Sequence, residues 1–571
     1  MPVSPPSLYQ MCLTAAVGET ISFCKACRKN FRILPNNVLL DYYYTIFSEN
    51  RLCLLASEFA DINVFDRLLY VKQKRCKLLK CFQTLIDHGR FNVDSLIQSY
   101  IKYQKNKPPN ISVIDVGLRL AYFLNEGGWY VPAIEVLKGT ETMCQQIGED
   151  DISLKKLLET YQMKIYAESQ NCQFSDAEKS YKASQKIVAK LEQLNSLPNL
   201  TSLYSTYSLM YFIHSEYNEA YAWSEKALEN LSDNLPLRVR MEVLSQASKS
   251  CVIKRYFNKA GLLIRQAVNI ANFILQTENL PCASDVLLDY AFYLLNYDSI
   301  EESVDIYKQV LKLRSDIFDK YNIKVALAHE DLAYALYVCE YSSGNFFLAR
   351  EHVETSISIM EKILVKDHLM LASVKRVKAL ILEEIALDEH LNTRRQIEYL
   401  KTAESLHKAA LELSYTAFGE KNVQTAKHFG NLGRLYQSMR FYDEAEQMHQ
   451  RAIAIKEELL GKDDYEVGLS VGHLASLFNY HMKRYDEAEK LYLRSIEINL
   501  KLFGEAYSGL EYDYRGLIHV YTKLLENSKV LLYNKKMREW KLLRKNIKSV
   551  DYKEKTLPAK EIILRFFEMK H

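Results

Sequence analysis

The chain has 571 residues and a net charge of +3 from 74 basic and 71 acidic side chains, so no whole-molecule field directs it to nucleic acid or an anionic membrane. That length exceeds one compact core unless the chain is an elongated repeat array, and only 18 glycines and 11 prolines leave room for long helices. The 40 tyrosines suit helices that interlock through aromatic rings with polar tips.

Of the 11 cysteines only Cys24-x-x-Cys27 has metal-like spacing. With no second CxxC or HxxxH to complete four ligands, the pair reads as free thiols and no metal or other cofactor is expected. The first residues, MPVSPPSLYQMCLTAAV, lack a basic stretch ahead of their apolar run, and no run of about 18 apolar residues follows. The expectation is a cytoplasmic and nuclear protein with reduced thiols, associated with membrane or cytoskeleton only peripherally.

In chain order, residues 1–60 form a helical unit unlike the rest. Ser7 can cap a helix in which Leu8 and Cys12 lie on one face, and Pro35 opens a second helix with Leu34, Val38 and Tyr42 at four-residue spacing. Residues 61–112 read as linking helices with a loop near 102–112, where KNKPPN interrupts the helical pattern. Residues 113–510 are an array of about nine helix pairs. A small residue opens the second helix of each pair: Ala133, Ala177, Ala220, Ala260, Ser303, Ala349, Ala403, Ala445 and Ala488. The steps are 40 to 46 residues, except one of 54 that marks an insertion in LDEHLNTRRQIEY. Two helices cross at that small residue, and an aromatic stands three or four positions ahead of it in most copies, as in Tyr442 and Tyr485. This aromatic-x-x-Ala period is the tetratricopeptide pattern, so the fold class is an all-α superhelix. Residues 511–571 read as a capping helix and a basic tail. The tail, NKKMREWKLLRKNIKSVDYKEK, reads first as a solvated helix face, the alternative being a contact with tubulin, nucleic acid or acidic lipid.

In such an array the first helix of each pair lines the concave wall. Counting back from the crossing residues places Asp285, Asp289, Glu330 and Asp331 in one inward region. Lys375, Arg376, Lys378, Lys427, Asn431, Arg434, His473 and Asn479 fall in another. Carboxylates at one end, with cations and amides at the other, suit a peptide that carries an arginine and a free carboxylate. No phosphate loop, nucleophile elbow, HExxH helix or RING-like ladder of cysteine and histidine appears, so the chain reads as non-catalytic.

Several stretches, among them SLYQMCLTAAV, LPNNVLLDYYY, QASKSCVIKRYF, AHEDLAY, KRVKALILEEIA and NVQTAKHFGNLGRLYQSMR, resemble the amyloid protein-binding protein 2 family across most of residues 7–525. The repeats are also similar to those of kinesin light chains. The resemblance implies a tetratricopeptide substrate receptor of a cullin-2 RING ubiquitin ligase, joined through elongins B and C. Ser7-Leu8-x-x-x-Cys12-x-x-x-Ala16 resembles the elongin C box of such receptors, and Leu34-Pro35-x-x-Val38-x-x-x-Tyr42 the cullin-2 box that follows it. The family further implies recognition of substrate C-termini in which an arginine precedes a glycine by three positions, leading to proteasomal degradation. Its other implied role is sorting and transport, through amyloid precursor protein-like tails and microtubules. Nucleic acid is not an expected partner, and self-association stays open.

Overall fold

The computed structural model describes residues 7–22, 31–89, 91–277, 281–340, 344–387, 393–545 and 555–569. Cys24 and Cys27, most of the residues between the two N-terminal helices, and residues 388–392 of the expected insertion lie outside them. Among the described residues every regular element is helical.

Helix α1 (Leu8–Ser22) packs on α2 (Asn36–Ser48), and α3 (Leu52–Phe59), α4 (Ile62–Leu69), α5 (Arg75–Asp87) and α6 (Val93–Lys105) lead into the array. The loop after α6 is shorter than expected, because Asn110 caps the next helix by accepting from the Val113 N–H. Five helix pairs follow: α7/α8 (Ile111–Gly127, Tyr130–Ile147), α9/α10 (Asp151–Gln170, Phe174–Gln193) and α11/α12 (Thr201–Ile213, Tyr217–Glu229), then α13/α14 (Leu237–Ile253, Phe257–Thr277) and α15/α16 (Cys282–Asn296, Ile300–Phe318). The next three are α17/α18 (Ile323–Glu340, Phe347–Ile363), α19/α20 (Met370–Ala386, Thr393–Phe418) and α21/α22 (Val423–Ser438, Tyr442–Leu460). The described array closes with α23/α24 (Tyr465–Ser476, Tyr485–Phe503) and α25/α26 (Leu510–Lys523, Asn527–Lys545), and α27 (Ala559–Glu568) comes after it.

All nine crossing residues, from Ala133 to Ala488, are 0 % exposed, which is why they are small: a longer side chain there would hold the paired helices apart. The long step has a structural cause. Helix α20 starts ten residues before Ala403, whereas α22 and α24 start three before Ala445 and Ala488, so the extra residues add about two helical turns to its front. The C-terminal region differs from the expected single cap. α25 and α26 form a tenth pair, with Val530 where the other pairs carry alanine or serine. The chain then returns to α14, where Gln266 bonds the Lys555 carbonyl (3.1 Å) and the Leu557 N–H (2.8 Å) and Phe566 is buried.

Within eight of the ten pairs the two helices are joined through one left-handed residue, two positions ahead of the second helix: Gly128, Cys172, Ser215, Arg255, Asp298, Arg440, Lys483 and Leu525. Five of these turns do a second job. Asn322 at the start of α17 donates to the Gly127 carbonyl at 2.8 Å and to Gln83 at 2.8 Å. His368, ahead of α19, approaches the Asn171 backbone, and Asn422 donates to the His214 carbonyl at 3.2 Å. Arg255 lies over the Tyr465 ring at 4.3 Å, and the Ser508 N–H donates to Asp298 at 3.1 Å. The hydrogen-bonded partners are 195, 208 and 210 residues apart, so one superhelical turn holds five pairs and the second turn is seated on the first. At the first contact a Cβ on Gly128 (φ +80°) would stand 2.6 Å from Ile323, so both the backbone angle and the close approach require glycine.

Candidate functional site

Two places gather the residues expected to bind partners. The first is α1. Leu13 and Val17, four residues apart, face α2 and are buried, which turns Leu8 and Cys12 outward on the opposite side. Leu8 is 73 % exposed and stands beside exposed Tyr9 and Met11, while Ala16 is half-buried. Tyr9 donates to Asp41 of α2 at 2.8 Å, and Lys74 pairs with the same carboxylate at 2.6 Å, which fixes α1 against the body. In the second motif Pro35 is exposed, Leu34 and Val38 are half-buried, and Tyr42 is buried against the Tyr43 ring. Tyr42 therefore belongs to the packing beneath this surface.

The second place is the inner face of the superhelix, where the first helices of both turns meet. Most of its charges are already matched. Asp285 accepts from Arg314 (2.6 Å) and Lys324 (2.8 Å). Burial by itself would raise its pKa, but Lys324 and Arg314 outweigh it and hold the carboxyl down at about 2. Asp289 is bonded by Ser245 (2.8 Å) and Lys249 (3.1 Å). Lys427 and Lys456 share Glu466, each at 3.0 Å. Arg434 is gripped by Glu383 (2.8 Å) and the Tyr337 hydroxyl (3.0 Å), with Glu384 at 3.7 Å.

Other inward groups are not matched. Asp331 makes no ion pair with a described residue, and burial pushes its carboxyl up to about 6 even with Arg314 and Lys249 in range. Glu330 beside it is raised to about 7, by burial first and Asp331 second, while a hydrogen bond with Ser373 pulls the other way. Arg376 lies over the Tyr334 ring at 5.3 Å without a carboxylate partner among the described residues. Lys375 and Asn431 are half-buried and likewise uncommitted. His473 lies against the His449 and Tyr512 rings at 6.2 and 6.3 Å, and burial first, then the neighbouring His449 ring and the Arg434 cation, hold its pKa well below the usual imidazole range. The bore thus holds fixed ion pairs and, between them, an acidic pair on α17, a free guanidinium on α19 and a free amide on α21.

Two expected groove residues sit elsewhere. Asn479 is buried, donating to the Gly516 carbonyl at 3.1 Å and meeting His519 at 2.7 Å, so it joins the segment that follows α23 to α25. The reason is a π-helical segment at Leu477–Met482, which shifts the helical phase and rotates Asn479 out of the bore. Lys378 turns toward Glu354 of α18 at 3.4 Å. Conversely, Lys249, Arg314, Lys324, Glu383 and Glu466 complete the lining and were not picked out by counting. All but Arg314, which lies on the second helix α16, had a legible cue, as charges on the expected inner helices.

Among the described residues no group of three or more histidine, cysteine, aspartate or glutamate side chains could hold a metal ion, and no helix is long and apolar enough to cross a membrane.

Residues 425–466 and 470–506, which cover α21–α24, match the tetratricopeptide repeat family. Among solved structures, the apo form of RapI aligns with 68 % of this chain and 98 % of its own at 14 % identity, with a TM-score of 0.40. A putative kinesin light chain of Podosopora anserina with TPR-like repeats aligns with 39 % of this chain and 97 % of its own at 18 % identity, with a TM-score of 0.27. Two relatives, amyloid protein-binding protein 2 of Mus musculus and of Rattus norvegicus, are each 45 % identical over 545 residues, covering 95 % of this chain and 92 % of theirs. With that identity sustained along the superhelix, the chain belongs to the amyloid protein-binding protein 2 family.

Proposed function

We propose that this chain is the substrate-recognition subunit of a cullin-2 RING ubiquitin ligase, non-catalytic itself, with elongin C seated on α1 and a substrate C-terminus held in the bore. The observation that carries this reading is the outward leucine. Leu8, with Cys12 one turn on, is an apolar surface held on a helix whose opposite side is already packed, and such a surface favours a partner. Pro35 and the half-buried Leu34 and Val38 stand next in line for the cullin.

In the bore, Glu330 and Asp331 receive the substrate arginine, while Arg376, Lys375 and Asn431 take its carboxylate and backbone. Ubiquitin transfer and the elongin B contact fall to the other subunits. Co-purification with elongins B and C tests the first half. The Leu8→Ala/Cys12→Ala variant is expected to lose elongin C while staying folded, because both side chains are exposed. If wild type never captures elongin C, the ligase reading fails. Asp331→Lys and Arg376→Glu test the second half, and unchanged binding of an arginine–glycine C-terminal peptide to both would remove the bore from recognition.

A second reading, a sorting or transport adaptor for amyloid precursor protein-like tails and microtubules, is favoured by the name of the relatives. It predicts capture of such tails by a protein that ignores elongin C.

A further inference from the structure

The last pair of the array ends in a helix with two apolar sides. On α26, Tyr533, Met537 and Trp540 are buried against α25, and the Trp540 indole donates to the Tyr507 carbonyl at 2.8 Å. Its outward side should be polar, as the exposed end of a solenoid requires. Instead Leu531 and Leu542 are 69 % and 62 % exposed, with Leu532 and Leu543 exposed beside them. Residues 11 apart on an α-helix return to nearly the same bearing, so the two leucine pairs form one stripe, about 16 Å apart along the axis. Leu525, in the left-handed turn that introduces α26, is 83 % exposed and extends the apolar surface at that end.

Charge decides what covers it. Lys535, Arg538, Lys541 and Lys545 are exposed on or beside the stripe, against one acid, Glu539, at 3.8 Å from Lys535. The other cations of the helix are engaged: Lys529 by Glu489 and Glu526, Arg544 by Asp298, and Lys536 over the Tyr533 ring. A second copy would bring these cations against their own kind. A partner groove would have to bury Lys535 and Arg538 in mid-stripe. An anionic lipid surface has neither difficulty, since headgroups supply negative charge wherever a cation lands, the leucines enter the acyl boundary, and long basic side chains reach back to the phosphates.

We propose that the outward face of α26 is an interfacial site for anionic membrane, on which the rigid superhelix lies end-on. The site is independent of α1 and of the bore, and would hold the protein at a lipid surface with both free.

Flotation of the full-length protein with vesicles tests this. One set is phosphatidylcholine alone and the other carries about one-third phosphatidylserine. Wild type is expected to partition at least about tenfold more strongly to the anionic set, and to lose that preference in high salt. Leu531→Ser/Leu542→Ser and Lys535→Glu/Arg538→Glu should each lower anionic binding about tenfold, with circular dichroism unchanged because all four side chains are exposed. No binding to anionic vesicles, or equal binding to both sets, would overturn the proposal. So would concentration-dependent self-association that the leucine variant abolishes, because the stripe would then be a contact between copies.

Discussion

Asp513 offers a sharp test of how burial governs charge in this superhelix. On α25 its carboxylate is buried with no cation beside it among the described residues, and Ser495 and Asn499 both donate to the same oxygen at 2.9 and 3.2 Å. Burial raises its pKa from an ordinary 3.8 to about 7, while those two hydrogen bonds pull the other way. A group raised in the folded state adds stability below its unfolded pKa and loses it as pH climbs through the folded one. The cost of the native aspartate therefore grows between pH 3.8 and about 7. At about 1.4 kcal/mol per unit, the ceiling is roughly 4 kcal/mol near pH 8 and roughly 1.6 near pH 5. Asp513→Asn keeps an oxygen for both donors and carries no charge. It should raise the urea midpoint strongly near pH 8 and weakly near pH 5, read by emission of Trp540, which packs in the same apolar cluster as α25. Equal stabilisation at the two pH values would show that the carboxylate is not the ionising group and refute the argument.

Three further outcomes are expected. Gly128→Ala should destabilise by about 2–4 kcal/mol, from the left-handed backbone and the overlap with Ile323, and neighbouring Trp129 emission reports it. Arg434→Glu should cost about 3–5 kcal/mol in thermal or urea melts, because it leaves Glu383 buried without its cation, whereas Arg376→Glu stays within about 1 kcal/mol. Equal losses for the two would erase the distinction between fixed and free guanidinium. Binding of an arginine-bearing peptide should strengthen from pH 6 to pH 8 as Asp331 (about 6) and Glu330 (about 7) ionise, and a flat titration would separate them from the ligand.

The repeat was legible because its rule is local. A small residue where two helices cross recurs within one period, and each of the nine so chosen is fully buried. The tenth pair was not legible, since Val530 and Asn527 replace the alanine and the aromatic that mark the others. Asn479 was misplaced because counting assumes an unbroken helical phase, and the π segment at Leu477–Met482 breaks it. Arg434 and Asp285 do face inward, but their partners Glu383 and Lys324 lie in other helices, so composition could not say that they were already engaged. The contacts between turns were out of reach for the same reason: nothing in a 42-residue period indicates that Asn422 will meet His214.

Those five contacts change what kind of object the array is. A repeat protein whose units touch only their neighbours can gain or lose a unit and still fold, because its stability is close to a sum of adjacent terms. Here Asn322, Asn422 and Ser508 each need a partner five pairs back, so removing one pair anywhere between them and their partners would throw every later contact out of step. The copy number is thereby locked, much as a thread fixes the pitch of a screw. The same long separations raise contact order, so the second turn should dock late and slowly on a first turn already formed.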